Sequence, residues 1–144
     1  MKNIHLAVVA GCFCAAMLLN GCCTTGKCNA AKVERYGMVI GLKAEKLDEY
    51  KKLHAAVWPD VLKMIADCHI RNYSIYLFHA RENRYFLFSY FEYTGDNFKA
   101  DMDKMAADPT TQRWWALCKP CQEPVRLRQA DEWWANMEEV FHCE

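Results

Sequence analysis

The feature that most constrains the fold of this 144-residue chain is a pair of neighbouring segments with large apolar side chains on both alternate faces. Residues 72–78 and 85–93 are rich in Tyr, Phe, Ile and Leu, and the turn-like stretch 81–84 separates them. This pattern predicts a β-hairpin with no evident solvent face. Because helices can cover only one face of such a hairpin, the other face must meet a second sheet, a partner subunit or a ligand.

The segment before the hairpin predicts a strand followed by a broken helix. Apolar residues alternate across residues 37–43, as in a strand, and from Leu47 to Ile65 they recur at steps of three and four, as in a helix. Pro59 removes a backbone donor and disfavours helical geometry at Trp58. We therefore expect a break at this point and a second helical segment that runs from Pro59 to about Cys68.

The segment after the hairpin predicts two more helices and a last short strand. Gly95-Asp96 and Asp108-Pro109 are typical of helix starts, and residues 139–142 form a strand candidate after a polar connection. The resulting element order is β-α-β-β-α-(α)-β, which predicts an α+β class domain with a ferredoxin-like βαββαβ plan over residues 33–144.

The N-terminus predicts export. Residues 1–21 have a weakly positive start and an apolar run of signal-peptide length, and they lead into Leu19-Asn20-Gly21-Cys22, which resembles a bacterial lipobox. We therefore expect a lipoprotein signal peptide in residues 1–21, lipidation at Cys22 and a flexible tether over residues 22–32. A secretory signal cut nearby and an uncleaved anchor are the alternatives. The expected location is membrane-anchored, on the periplasmic or cell-surface side.

Charge and motifs exclude several functional classes. The 18 basic residues balance the 18 acidic ones, so no broad basic surface for nucleic acid is expected. The sequence has no glycine-rich phosphate loop, no dinucleotide-binding fingerprint and no common hydrolase motif. The pairing of the cysteines that would remain in an exported domain cannot be read from the sequence; these are Cys23, Cys28, Cys68, Cys118, Cys121 and Cys143.

One helical stripe offers acid/base chemistry. Tyr50, His54 and Trp58 follow one another at four-residue steps, which places them on one face of a helix beside the expected break. A neutral histidine in an opened aromatic stripe can shuttle protons near pH 7. The competing interpretation is a core histidine packed between aromatic residues.

Four segments together carry a family resemblance. Residues 49–59, residues 72–77, Gln112-Arg113-Trp114-Trp115 and residues 139–141 occur in the order and spacing of the L-rhamnose mutarotase family, which the domain resembles over most of its length. The resemblance implies a dimeric α/β barrel in which two ferredoxin-like subunits pack sheet against sheet. It also implies a sugar 1-epimerase that acts on a monosaccharide without a metal or organic cofactor.

The resemblance also implies a site. The family's catalytic histidine corresponds to His54, and its sugar-contacting residues correspond to Tyr50, Tyr73, Trp114 and Trp115. The chain departs from the family in its signal, in Cys118-Lys119-Pro120-Cys121 and in a tail that contains Trp133-Trp134.

Three other interpretations remain at this point. The Cys118-Lys119-Pro120-Cys121 motif resembles that of thiol-disulfide oxidoreductases, although the expected helix precedes it, where a redox motif would open one. A zinc site would need Cys118, Cys121, His142 and Cys143, although adjacent His142 and Cys143 would point to opposite faces of a strand. A lipid-anchored sugar-binding module would use the same aromatic residues without acid/base catalysis.

Overall fold

The computed structural model describes residues 32–143, which form one antiparallel sheet packed against helices. The strands are β1 (Glu34–Leu42), β2 (Ile70–His79), β3 (Tyr85–Tyr93), β4 (Gln122–Glu123) and β5 (Ala135–Met137). The helices are α1 (Leu47–His54), α2 (Pro59–Asp67), α3 (Phe98–Ala107) and α4 (Pro109–Cys118), with 3-10 turns at Ala44–Lys46 and Lys119–Cys121. None of the helices within residues 32–143 is long and apolar enough to cross a membrane.

The strand order confirms the predicted ferredoxin-like plan. The sheet runs β2-β3-β1, and both β4 and β5 pair with the outer edge of β1, always antiparallel. The first strand therefore lies between the third and the last, as a βαββαβ connection requires. The hairpin of β2 and β3 forms where the apolar segments predicted it.

The two faces of the sheet have different surroundings. Ile40, Leu87 and Phe91 belong to the helix-facing side and are buried in the core with residues from α1, α2 and α4. The strand register places Tyr76 and Phe78 on the opposite face, next to Phe88 and Phe86 of β3, and both remain largely exposed. The second apolar face that the hairpin pattern indicated is therefore present and open to contact.

The helix break occurs at the predicted position. Helix α1 ends at His54, and α2 begins with Pro59 in its first turn, where the missing backbone donor costs nothing. Trp58 precedes it in an extended conformation, with φ −63° and ψ 136°. The break leaves His54 at the C-terminal end of α1.

Two predicted boundaries are wrong. The residue that caps α3 is Asn97, whose side chain accepts a hydrogen bond from the Ala100 N–H at 3.1 Å, so Gly95-Asp96 lies before the helix start. The last strand is Ala135–Met137 and not residues 139–142. Val140 and Phe141 are 88% and 81% exposed, because the chain leaves the sheet after Met137 and the apolar residues that follow have no strand partner.

Strand β4, between Pro120 and Pro124, is a two-residue strand that the sequence did not predict, and its residue Gln122 is buried. The signal peptide predicted in residues 1–21, the lipidation site Cys22 and nearly all of the tether lie outside the described residues.

Candidate functional site

A cavity of about 250 Å³ lies between α1 and the helix-facing side of the sheet. Helix α1 contributes Tyr50, Lys51 and His54 to its wall, and strands β1, β2 and β3 contribute apolar side chains. The full lining consists of Leu42, Tyr50, Lys51, His54, Ala55, Ile75, Leu77 and Leu87. An apolar wall with a few polar groups on one side is the usual composition of a small-molecule site.

The position of His54 fixes the role of each ring nitrogen. Its Nδ1 lies 3.0 Å from the backbone carbonyl oxygen of Tyr50, one turn earlier in α1. A carbonyl oxygen can only accept, so Nδ1 carries the proton and donates it to this bond. Burial lowers the pKa of His54, against a smaller opposing effect of that hydrogen bond. The side chain is therefore a neutral imidazole near pH 7, and Nε2 is its proton acceptor.

Aromatic rings hold the imidazole from two sides. The Tyr50 ring stacks on His54 with centroids 4.0 Å apart, and the edge of Trp114 meets the imidazole at 5.5 Å. Trp58 also packs edge-on against Trp114, with ring centroids 5.4 Å apart. Helices α1 and α4 and the break before Pro59 thus meet at one cluster, which limits the orientations that the His54 ring can adopt.

A β-bulge brings the second tyrosine to this side of the sheet. Arg71 pairs with Glu92 and Ser74 pairs with Tyr90, so Asn72 and Tyr73 together oppose a single residue of β3. Asn72 has a φ of 50°, in the left-handed region that Asn tolerates. Tyr73 therefore turns towards the helices.

Both tyrosine hydroxyls remain protonated at neutral pH. Burial raises the pKa of Tyr73 to about 12, although the residue as a whole is 41% exposed, because it is the phenolic end that lies within the protein. Burial also raises the pKa of Tyr50, and the nearby Tyr73 hydroxyl raises it further. Two phenol groups that keep their protons can donate hydrogen bonds to the oxygens of a bound ligand.

The two neighbouring tryptophans of α4 do not share one environment. Trp114 is buried and contacts His54 and Trp58, as described above. Trp115 is half-buried, and the Nζ atom of Lys119 lies 5.7 Å from its ring centroid. The structure therefore brings Tyr50, His54 and Trp114 into direct ring contact, but not Trp115.

Sequence reasoning missed a polar pair next to the site. The indole N–H of Trp133 donates a hydrogen bond to Oε1 of the buried Gln122 at 2.7 Å. Gln122 lies in β4, a strand that the sequence did not predict, and Trp133 lies in the divergent tail. Only the register of β4 and the packing of the tail bring them together, and no local pattern signals that contact.

Cys118 and Cys121 lie in an environment that disfavours the thiolate, whereas a redox centre favours it. Cys118 ends α4 and Cys121 closes the following 3-10 turn, so both lie at the C-terminal end of a helix. Burial raises the pKa of Cys118 to about 12 and also raises that of Cys121, which disfavours the reactive thiolate. Over residues 32–143 the cysteines form no disulfide. The thiol-disulfide oxidoreductase interpretation therefore has no support.

The zinc interpretation fails on placement. Cys118 and Cys121 are buried in the core between the sheet and the helices, whereas His142 lies with Tyr90 on the other face of the sheet. Within the described part of the chain, no group of three or more His, Cys, Asp or Glu side chains is arranged to hold a metal ion.

Comparison with known proteins gives one consistent result. The family described as L-rhamnose mutarotase matches residues 35–143. An L-rhamnose mutarotase from Phocaeicola vulgatus is 36% identical over 119 residues, which cover 78% of this chain and 99% of that protein. One from Oceanobacillus iheyensis is 30% identical over 118 residues, which cover 78% of this chain and 100% of that protein.

A solved structure shows the same fold. The crystal structure of an L-rhamnose mutarotase from Formosa agariphila superposes with a TM-score of 0.57 and 23% sequence identity, over 77% of this chain and 99% of that one. The family match extends over residues 35–143, which include the lining of the cavity, His54 and Trp114. The chain therefore belongs to the L-rhamnose mutarotase family, a family of isomerases.

Proposed function

We propose that the protein is a mutarotase that interconverts the α and β anomers of L-rhamnose or a related 6-deoxy hexose by acid/base catalysis at His54. The single observation that carries the proposal is the Nδ1–H bond from His54 to the Tyr50 carbonyl, which leaves Nε2 as the basic atom of a residue that lines the cavity. The cavity, at about 250 Å³, lies just below the range of roughly 300–1,000 Å³ that holds larger ligands, which suits a monosaccharide.

The protein needs to supply only proton transfers while the sugar ring opens and closes. Nε2 of His54 takes the proton from the anomeric hydroxyl while an acid protonates the ring oxygen, and the C1–O5 bond breaks to give the open-chain aldehyde. Rotation about the C1–C2 bond turns over the carbonyl face. Attack of the C5 hydroxyl on that face closes the ring and returns the hydroxyl proton to the conjugate base of the same acid, while His54 returns its own proton to the new anomeric oxygen. The low pKa that burial gives His54 keeps the imidazole neutral and ready for the first step.

The surrounding side chains supply sugar contacts of two kinds. The protonated hydroxyls of Tyr50 and Tyr73 donate hydrogen bonds to sugar oxygens, and Tyr50 lines the cavity directly. The indole rings of Trp114 and Trp115 offer apolar surface to the C–H face or the methyl group of a 6-deoxy hexose. Trp114 has the stronger support, because its ring contacts His54.

Saturation-transfer NMR on L-rhamnose, L-fucose and D-glucose measures anomer exchange directly and tests the proposal. Replacement of His54 by Asn is expected to slow exchange by about 10²-fold or more, the loss typical of a positioned acid/base. His79→Asn is the matched control, because His79 is exposed, stacks on Tyr85 and does not line the cavity. Full exchange in a folded His54→Asn protein, verified by circular dichroism, would falsify the mechanism, and binding without exchange in the wild type would identify a sugar-binding module.

We also propose that the protein is a homodimer in which the open sheet faces of two copies pack together. Exposed Tyr76 and Phe78 support this arrangement, since an apolar patch of neighbouring side chains marks an interaction surface.

We further propose that the N-terminus carries a lipoprotein signal in residues 1–21, a lipidated Cys22 and a tether that holds the domain, residues 33–144, near a membrane surface on the periplasmic or cell-surface side. The support is the Leu19-Asn20-Gly21-Cys22 sequence after an apolar run. Mass spectrometry of the protein from its native membrane should show an acylated N-terminal Cys22, and a Cys22→Ser variant should lose membrane association. An intact Met1 would contradict the proposal.

A further inference from the structure

Gln122 lies beside the cavity although it does not form its wall. In the β1–β4 pairing it is directly opposite Leu42, a lining residue, and paired residues of neighbouring strands point to the same face. Its side chain is therefore on the helix-facing side of the sheet, where it is buried. A buried amide needs hydrogen-bond partners for both its oxygen and its nitrogen.

The tail fixes which way the amide points. The Trp133 indole N–H can only donate, so the atom that it meets at 2.7 Å must be the amide oxygen, and the NH₂ group points the other way. The indole itself is held by the ammonium group of Lys119, whose Nζ lies 5.5 Å from its ring centroid. The amide of Gln122 therefore cannot flip without loss of its bond to Trp133.

The backbone before Gln122 is also fixed. The Lys43 N–H donates a hydrogen bond to the Cys121 carbonyl at 2.9 Å, and Nζ of the same residue donates to the Pro120 carbonyl at 2.9 Å. Lys43 immediately follows β1, so the turn that delivers Gln122 is fastened to the strand that lines the cavity.

We propose that Gln122 is a positioning residue that directs its NH₂ group to the phenolic oxygen of Tyr50, so that the Tyr50 O–H proton is presented to the sugar. This inference rests on the proposed function, because it assigns a direction to a hydrogen bond within the same site. Tyr50 keeps its ring against His54 in either case. What Gln122 determines is whether the hydroxyl acts towards the sugar as a donor or as an acceptor.

The electrostatics of Tyr50 agree with this direction. Burial raises the pKa of the phenol, whereas hydrogen bonding with the Gln122 side chain lowers it. A group that donates a hydrogen bond to the phenolic oxygen stabilises the phenolate and so lowers the pKa of the phenol. A group that accepts from the hydroxyl stabilises the protonated form and so raises that pKa.

Replacement of Gln122 by Glu tests the direction of the bond. A carboxylate still accepts the Trp133 bond but also accepts from Tyr50, which turns the hydroxyl proton away from the sugar. Exchange measured by saturation-transfer NMR at about pH 8 should fall roughly tenfold, the effect of one buried hydrogen bond. Because burial raises the pKa of a glutamate, the carboxyl becomes a donor on acidification, and the ratio of variant to wild-type rate should rise towards about pH 5.5.

Two controls separate this role from packing. Gln122→Met keeps a similar side-chain volume without polar atoms. The ratio of its exchange rate to that of the wild type should not change with pH. Glu123→Gln changes the exposed neighbour and should leave exchange unchanged. If Gln122→Glu does not fold, Trp133→Phe releases the amide without a new charge and should slow exchange several-fold.

Wild-type exchange at about pH 8 in a folded Gln122→Glu protein, a deficit that is the same at every pH, or full exchange in Trp133→Phe would each overturn the inference. If the wild type binds sugar without exchange, the proposed catalysis fails and sugar affinity, followed by tryptophan fluorescence, becomes the readout. If the sugar affinity of Gln122→Glu then recovers towards that of the wild type on acidification, the role of Gln122 is supported. If the affinity does not recover, that role is refuted.

Discussion

At the scale of the residue, the pH dependence of the reaction should report His54. Burial lowers its pKa below the ordinary histidine value of about 6.5, so the neutral imidazole persists to a lower pH than in an exposed histidine. The acid limb of kcat/KM, which titrates the free enzyme, is therefore expected to have its midpoint below about 6.5. A midpoint at or above that value in a pH series of anomer exchange would contradict the assignment of His54 as the base.

The lowered pKa of His54 also predicts how the free energy of unfolding depends on pH. The unfolded chain carries an ordinary histidine, so between the lowered pKa of the folded state and the ordinary value the unfolded state binds more protons. His54 therefore reduces the free energy of unfolding as the pH falls through this window. Urea melts of wild type and His54→Asn should converge on acidification, and a constant difference between them across the window would be inconsistent with a buried neutral imidazole.

The two neighbouring tryptophans should differ in effect. Trp114→Phe removes the ring that meets both His54 and Trp58 and is expected to weaken sugar affinity and exchange several-fold. Trp115→Phe changes a ring that packs with Lys119 and should have the smaller effect on exchange. Titration of each variant with L-rhamnose gives the comparison. The reverse order of effects would place the sugar on the Trp115 side of α4.

At the scale of the element, the position of β4 against β1 depends on Gly41. A Cβ atom at Gly41 would lie 2.6 Å from the Glu123 backbone oxygen, so Gly41→Ala must push β4 away from β1 and move Gln122 with it. We expect a loss of about 1–3 kcal/mol in the free energy of unfolding, as for other overpacked sites, together with slower exchange.

Gly37→Ala is the matched control, because the tight contact of the added atom would be with the flexible end of the Met137 side chain at 3.2 Å, and its contact with Met137 Cβ at 3.9 Å is an ordinary one. Thermal melts and exchange rates of the two variants provide the measurement. Equal behaviour of both variants would show that β4 does not need its close approach to β1.

Local patterns predicted the elements well where the physical cause is local. The hairpin follows from two runs of large apolar side chains separated by a turn-like stretch, and the helix break follows from the covalent restriction of Pro59. The last strand was misplaced because Val140 and Phe141 have strand-like side chains, whereas Ala135–Met137 gains its strand from pairing with β1, about one hundred residues earlier. Gln122 was missed for the same reason, since its partner Trp133 is chosen by tertiary packing.

At the scale of the whole molecule, the sheet separates two tasks. Successive residues of a strand point to opposite faces, so in β2 Leu77 lines the cavity while Phe78 belongs to the open face. A second copy packed on the open face would therefore cover Tyr76 and Phe78 without entering the cavity proposed to bind the sugar. Association and catalysis can then be changed independently by substitutions at adjacent positions.

The proposed dimer can be tested with two variants that each introduce one negative charge, one on the open sheet face and one on a helix. Phe78 and Leu62 are 54% and 53% exposed, but Phe78 lies on the open sheet face and Leu62 on helix α2. Phe78→Glu places a charge where two sheets would meet and is expected to give a monomer, because a charge buried without a partner is costly. Leu62→Glu adds the same charge to a helix surface and should remain dimeric. Light scattering after size-exclusion chromatography measures both masses, and a monomeric wild type or a dimeric Phe78→Glu variant would refute the sheet-to-sheet arrangement.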